Sequence, residues 1–142
     1  MIRTNLSSNS PWEPEVGYSR AVRVGNQVVV TGTTSTDPET GVIVHHGDAY
    51  HQTLRIFQTI ELALKSLGAH TKDIYRVRMY VVNIKENWKK VGSAHKEALA
   101  GIFPASTMVE VSGLIDSELL VEIEVEAMVG VSKIESMQMN LS

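Results

Sequence analysis

Cysteine is missing from the 142-residue sequence, which excludes a disulfide framework, a thiol nucleophile and a thiolate metal site. Basic clusters are missing too. Thirteen Lys and Arg against 16 Asp and Glu give a net charge of −3, and the cations are scattered. That argues against nucleic acid or an anionic membrane as the main partner. No apolar run is long enough to cross a bilayer. The opening MIRTNLSSNSPWEPE has no apolar core of a secretory signal, so a cytoplasmic location is the default expectation. What remains is ordinary for a globular protein, 43% apolar and 20% charged. The length suits one domain spanning residues 1–142, with its core at about 16–130 between a polar start and a polar tail from Ser132.

Periodicity predicts strands, helix, strand, helix, strands. Tyr18 to Val24 and Gln27 to Gly32 read as a hairpin turned at Gly25-Asn26, two residues that tolerate positive φ. Asp37-Pro38-Glu39-Thr40-Gly41 is a second turn, followed by a short extended run at Val42 to Val44. Asp48 caps a helix that ends near Leu67 at Gly68, with Ile56, Phe57, Ile60 and Leu64 on its apolar stripe. Ile74 to Val82 alternates as a strand, with Arg76, Arg78 and Tyr80 opposite Val77, Met79 and Val81. A second helix runs from about Glu86 to Ala100, turning Trp88, Val91, His95, Ala98 and Leu99 one way.

Two alternating runs joined by a turn close the domain, Thr107 to Val111 and Val121 to Ala127. Glu122, Glu124 and Glu126 fall in register on one strand face and repel one another unless something compensates. The expected fold is α+β, a single mixed sheet with both helices packed on one face. Its other face would carry Arg76, Arg78, Tyr80, Met108, Glu110 and the three glutamates. Such a face suits solvent, a subunit interface or a ligand cavity. The histidines His45, His46 and His51 lack the spacing of a metal site, so no metal is expected. Ser35 and Ser112 lack the elbow or base of a serine hydrolase.

Gly17-Tyr18-Ser19-Arg20-Ala21, a hairpin ending Thr31-Gly32, Gln52 to Ile60, Phe103-Pro104-Ala105 and Val121-Glu122-Ile123-Glu124 follow one another in fixed order. Taken together they resemble the RidA (YjgF) family over residues 16–130. The resemblance implies a fold like the trimeric bacterial chorismate mutase. It implies a homotrimer with small-molecule clefts between subunits, and hydrolysis of imines and enamines to carbonyl compounds and ammonia without a cofactor. By position, Glu122 would hold the attacking water, and Tyr18, Thr31 and Gly32 would line the cleft. An arginine that clamps a substrate carboxylate in the family falls at Ser106 here. A typical asparagine falls at Gly92, and a typical aromatic at His95. Losing such a contact costs on the order of 2–5 kcal/mol. Arg20 and Arg78 are the candidates to supply that charge from another strand, and Ser106 is itself a candidate ligand contact. Two readings remain open: an atypical deaminase, and a trimer of the same family that binds a metabolite or protein without turnover.

Overall fold

The most buried alternation in the chain, Val121 to Met128, takes a central position. Val121, Ile123, Val125 and Ala127 are all buried, with half-buried glutamates between them. The computed structural model describes all 142 residues. Its six strands are β1 (Arg3–Leu6), β2 (Ala21–Val24), β3 (Gln27–Thr33), β4 (Ile74–Val81), β5 (Ala105–Glu110) and β6 (Val121–Met128). They form one mixed sheet in the order β1-β2-β3-β6-β4-β5, antiparallel except for the β4–β5 pair. The helices are α1 (Trp12–Val16), α2 (Ala49–Ser66) and α3 (Ile84–Ala98).

Local chemistry sets the ends of these elements. Val24 pairs with Gln27 across Gly25-Asn26, and only Gly25 adopts positive φ (59°). Asp48 accepts the His51 N–H as the cap of α2. At the other end Gly68 turns left-handed, Ala69 N–H reaches Leu64 O and Gly68 N–H reaches Lys65 O. That pair of bonds satisfies carbonyls the helix would otherwise leave orphaned. α2 lays Ile56, Ile60 and Leu64, all fully buried, against the valine face of β3 and β6. α3 adds Val91 and Ala94.

Three expectations are corrected. The runs at 107–111 and 121–127 are not neighbours, because β4 lies between them. β5 returns parallel to β4 through α3, and a parallel neighbour requires such a crossover. That changes which face β5 presents. Met108 is in register with Met79 and packs toward the core, and Glu110 accepts the Ile84 N–H of α3. Val109, beside Tyr80, takes the open face instead. Trp88 is not on the buried stripe of α3 but half exposed, since Asn87 takes the inward position and donates to Val82 O. The polar start adds a strand that no periodicity announced, and β1 extends the sheet beyond β2.

The open face carries the acidic row together with its compensation. Arg78 Nη1 lies 3.1 Å from Glu126 Oε1, and Tyr80 donates its hydroxyl to Glu124. Glu122 has no such direct partner on the face.

Candidate active site

Glu122 sits beside a break in the sheet. Val30 pairs with Val125 and Thr33 with Ile123, so β3 carries one more residue than β6 between the two pairs. This bulge, at Thr31-Gly32, bends the strand and opens a gap where the Glu122 carboxylate rests. A Cβ on Gly32 would lie 2.2 Å from Glu122 Oε2. Only glycine leaves room for that carboxylate. The bulge is held from the side. Thr31 Oγ1 donates to Ser19 O, and Arg20 Nη1 donates to Gly32 O (3.2 Å) and Thr33 Oγ1 (3.1 Å).

A cavity of about 320 Å³ opens here, within the range of small-molecule sites. Tyr18, Arg20, Thr31, Gly32 and Glu122 all line it, joined by Trp12 and Val16 from α1. Five of the seven residues the sequence pointed to thus meet in one place. The Arg20 guanidinium is 5.8 Å from the centre of the Tyr18 ring. Burial pushes the Glu122 carboxyl above its usual range. Arg20 pulls it back and Glu124 pushes it up further, for a net upward shift. Glu122 is therefore suited to hold a proton at a pH where an exposed glutamate has lost it.

Ser106 and Arg78 are placed elsewhere in the chain. Arg78 is engaged with Glu126 on the open face. Ser106, exposed on the edge strand β5, lies 2.9 Å from His95 Nε2 and donates to Pro104 O. Burial holds the His95 imidazole below its usual range, which favours the neutral ring. Two of the three positions where the sequence departs from the resemblance, Ser106 and His95, are thus one hydrogen-bonded pair without charge. Trp12 and Val16 escaped sequence reading. Their signal was the Pro11-Trp12 start and the left-handed Gly17 stop of α1 within a segment that otherwise reads as polar.

Gly32→Ala tests the geometry. The neighbour it would strike is the end of a flexible side chain, so the fold tolerates the change. We expect a Tm within about 4 °C of wild type, from a cost of roughly 1 kcal/mol, with ligand binding in the cavity lost because Glu122 is displaced. Unaltered binding would show that the carboxylate need not lie against the bulge.

Comparison with known proteins agrees with this architecture. A family model described as Endoribonuclease L-PSP matches residues 8–129. An uncharacterised protein of Streptomyces coelicolor is 37% identical over 122 residues, covering 86% of this chain and 89% of that one. A RutC family protein of Pyrococcus abyssi is 36% identical over 107 residues, covering 75% and 82%. A crystal structure of a YjgF/YER057c/UK114 family member from Mycobacterium tuberculosis is similar at TM-score 0.81 and 44% identity, covering 90% of this chain and all of that one. With the motif order, the sheet topology and these matches in agreement, the chain belongs to the YjgF/RidA family of L-PSP-type proteins.

Proposed function

We propose that this chain is a small-molecule hydrolase that deaminates imines, enamines or a related C=N compound, with Glu122 as the proton-transfer group. One observation carries the reading: a carboxylate with a raised pKa, set against a bulge glycine in a metabolite-sized cavity. Protonated Glu122 donates to the imine nitrogen. The resulting carboxylate takes a proton from water as the water oxygen bonds to the carbon. The carbinolamine nitrogen is protonated in turn, the C–N bond breaks, ammonia leaves, and the hydroxyl proton returns to Glu122. Water is consumed, a carbonyl compound and ammonia are released, and Glu122 ends as it began. Neither metal nor redox cofactor is needed for the balance.

The family's L-PSP description names an endoribonuclease. The charge of this chain disfavours that activity here. Net charge is −3 and the open sheet face bears three glutamates, whereas affinity for a phosphate backbone comes from clustered cations.

Purified protein should release ammonia above background from at least one imine or enamine generated in situ, tested across carboxylated and uncharged members. Silence across both groups would sink the reading. A saturable ligand recovered unchanged would favour the non-catalytic alternative.

The same proposal places the cavity at a boundary in a homotrimer. The mixed open face supports this, with Val29 and Val109 exposed around Arg78, Tyr80 and the glutamates. So does an edge strand that ends in the exposed Ser106–His95 pair. Light scattering at micromolar concentration should give three chain masses. One chain mass would refute the boundary.

A further inference from the structure

The cavity beside Glu122 has an apolar wall that proton transfer does not use. Trp12 and Val16 of α1, Pro38 and Ile115 supply it from α1 and two loops, while the bulge residues Thr31, Gly32 and Thr33 bring no large apolar side chain. Val16 and Ile115 are 73% and 67% exposed. Large apolar side chains left open around one cavity mark a surface for a ligand to cover.

Trp12, half-buried, is fixed from two sides. Its six-membered ring lies against the backbone of Gly41, where a Cβ would come within 2.9 Å of Cη2 and 3.1 Å of Cζ3. The turn under the ring is closed by Gly41 N–H to Asp37 O, and the Asp37 carboxylate accepts the Glu39 N–H. A bridge between Thr36 and Ile43 holds the base of that turn. The second support is the neighbouring residue on α1. Glu13 is buried, and its carboxylate accepts from Ser7 Oγ, Ser8 N and Ser8 Oγ. Arg20 Nε faces the same carboxylate from 3.8 Å. Burying a charge is costly unless it is satisfied in this way, so α1 is tied down at the residue next to Trp12. An aromatic face held on both sides loses little entropy when a ligand meets it.

We infer that Trp12 is a recognition platform, and that the cavity takes a ligand with an aromatic ring, which stacks on Trp12 while its polar end lies at Glu122. Aromatic pairs gain from stacked or edge-on geometry beyond the area they bury. The wall of α1 is the one place in the cavity where such a ring finds a partner, so the platform also sets which end of the ligand reaches Glu122. That the Glu122 end reacts rests on the hydrolase reading. That the other end stacks does not.

The test is calorimetric titration of the full chain with phenylacetamide, cyclohexylacetamide and acetamide, three uncharged probes that separate ring, bulk and amide. Wild type should bind phenylacetamide at least ~10-fold more tightly than acetamide, the low end for burying a large apolar group. It should prefer phenyl over cyclohexyl by ~2- to 10-fold, the range for an aromatic pair. Trp12→Leu keeps apolar bulk without the aromatic face, and its phenyl-to-cyclohexyl ratio should fall to about one or below. Trp12→Phe should restore the preference. Trp88→Phe, at the other tryptophan and outside the cavity, should change neither ratio and leaves Trp12 as the one indole. Its emission should then respond to phenylacetamide. A merely structural Trp12 would lower Tm and leave the ratios untouched, so the ratios decide. Equal binding of the phenyl and cyclohexyl amides by wild type, or no binding of any probe, overturns the inference. So does a wild-type ratio in Trp12→Leu. Ammonia release judges the hydrolase reading separately. A Trp12-dependent phenyl preference without turnover of any imine keeps this inference and removes that reading. Turnover that depends on Glu122, with no phenyl preference in binding, does the reverse.

Discussion

Glu122→Gln is expected to lower imine-dependent ammonia release by about 10²–10⁴-fold, the usual share of a positioned proton-transfer group. The amide keeps the shape of the side chain and its place against Gly32, so loss of rate would report loss of proton transfer. Stability should move the other way. In the folded chain the Glu122 pKa is raised, chiefly by burial. The folded state therefore holds more protons than the unfolded one between the ordinary glutamate pKa and the raised value. The stabilisation tied to that proton is complete below the unfolded pKa and is lost as pH rises through the folded one. Glutamine does not titrate. The variant should match or exceed the wild-type Tm at neutral pH, and its stability should fall less as pH rises from the acid side. Thermal melts across pH, paired with ammonia assays, check both halves. A variant that melts far lower at pH 7 would mark Glu122 as a structural residue. Unchanged turnover would remove it from the chemistry.

Gln52→Leu should be the most damaging single substitution away from the cavity. Gln52 is fully buried on α2. Its Nε2 donates to His45 O (2.9 Å) and Glu118 O (2.8 Å), and its Oε1 accepts from Leu120 N (2.9 Å). Three backbone groups from two loops meet on one side chain. Leucine fills the volume and leaves all three unsatisfied, at about 1–3 kcal/mol each before relaxation. A net loss of roughly 3–5 kcal/mol is expected, or roughly 10–15 °C in Tm. Denaturant melts should show a lower midpoint with an unchanged slope. A loss below ~1 kcal/mol would mean that water takes over these bonds. Leu120 leads directly into β6, two residues before Glu122, so surviving protein should also lose rate.

Sequence reading succeeded where the cause is local. Asp48 and Gly68 bound α2 because a cap and a left-handed stop are properties of single residues with their neighbours. The face of β6 was legible because a period of two needs no partner to be seen. Tyr18, Thr31, Gly32 and Glu122 were reached through motif order, and they meet in one cavity. The bulge itself was invisible. Nothing in Val-Val-Val-Thr-Gly-Thr says that one residue will be unmatched, because the mismatch exists only against the count of residues on β6. The direction of Arg20 was hidden for the same reason, since its partners are carbonyl and hydroxyl groups that the bulge presents.

By itself the sequence determined the elements from β2 to β6, the buried sides of β4, β6 and α2 and the acidic row from Glu122 to Glu126, which follow from short-range periodicity and turn chemistry, while the order of its motifs carried the family resemblance. Only the tertiary structure decided which strands are neighbours. Placing β4 between β5 and β6 matched Arg78 and Tyr80 with Glu126 and Glu124, and turned Ser106 toward His95. It left Glu122 as the member of the row without a partner on that face, facing a cavity with a buried arginine beside it. Pairing between segments far apart in sequence is set by the burial of the whole sheet. No stretch of the chain carries that information alone.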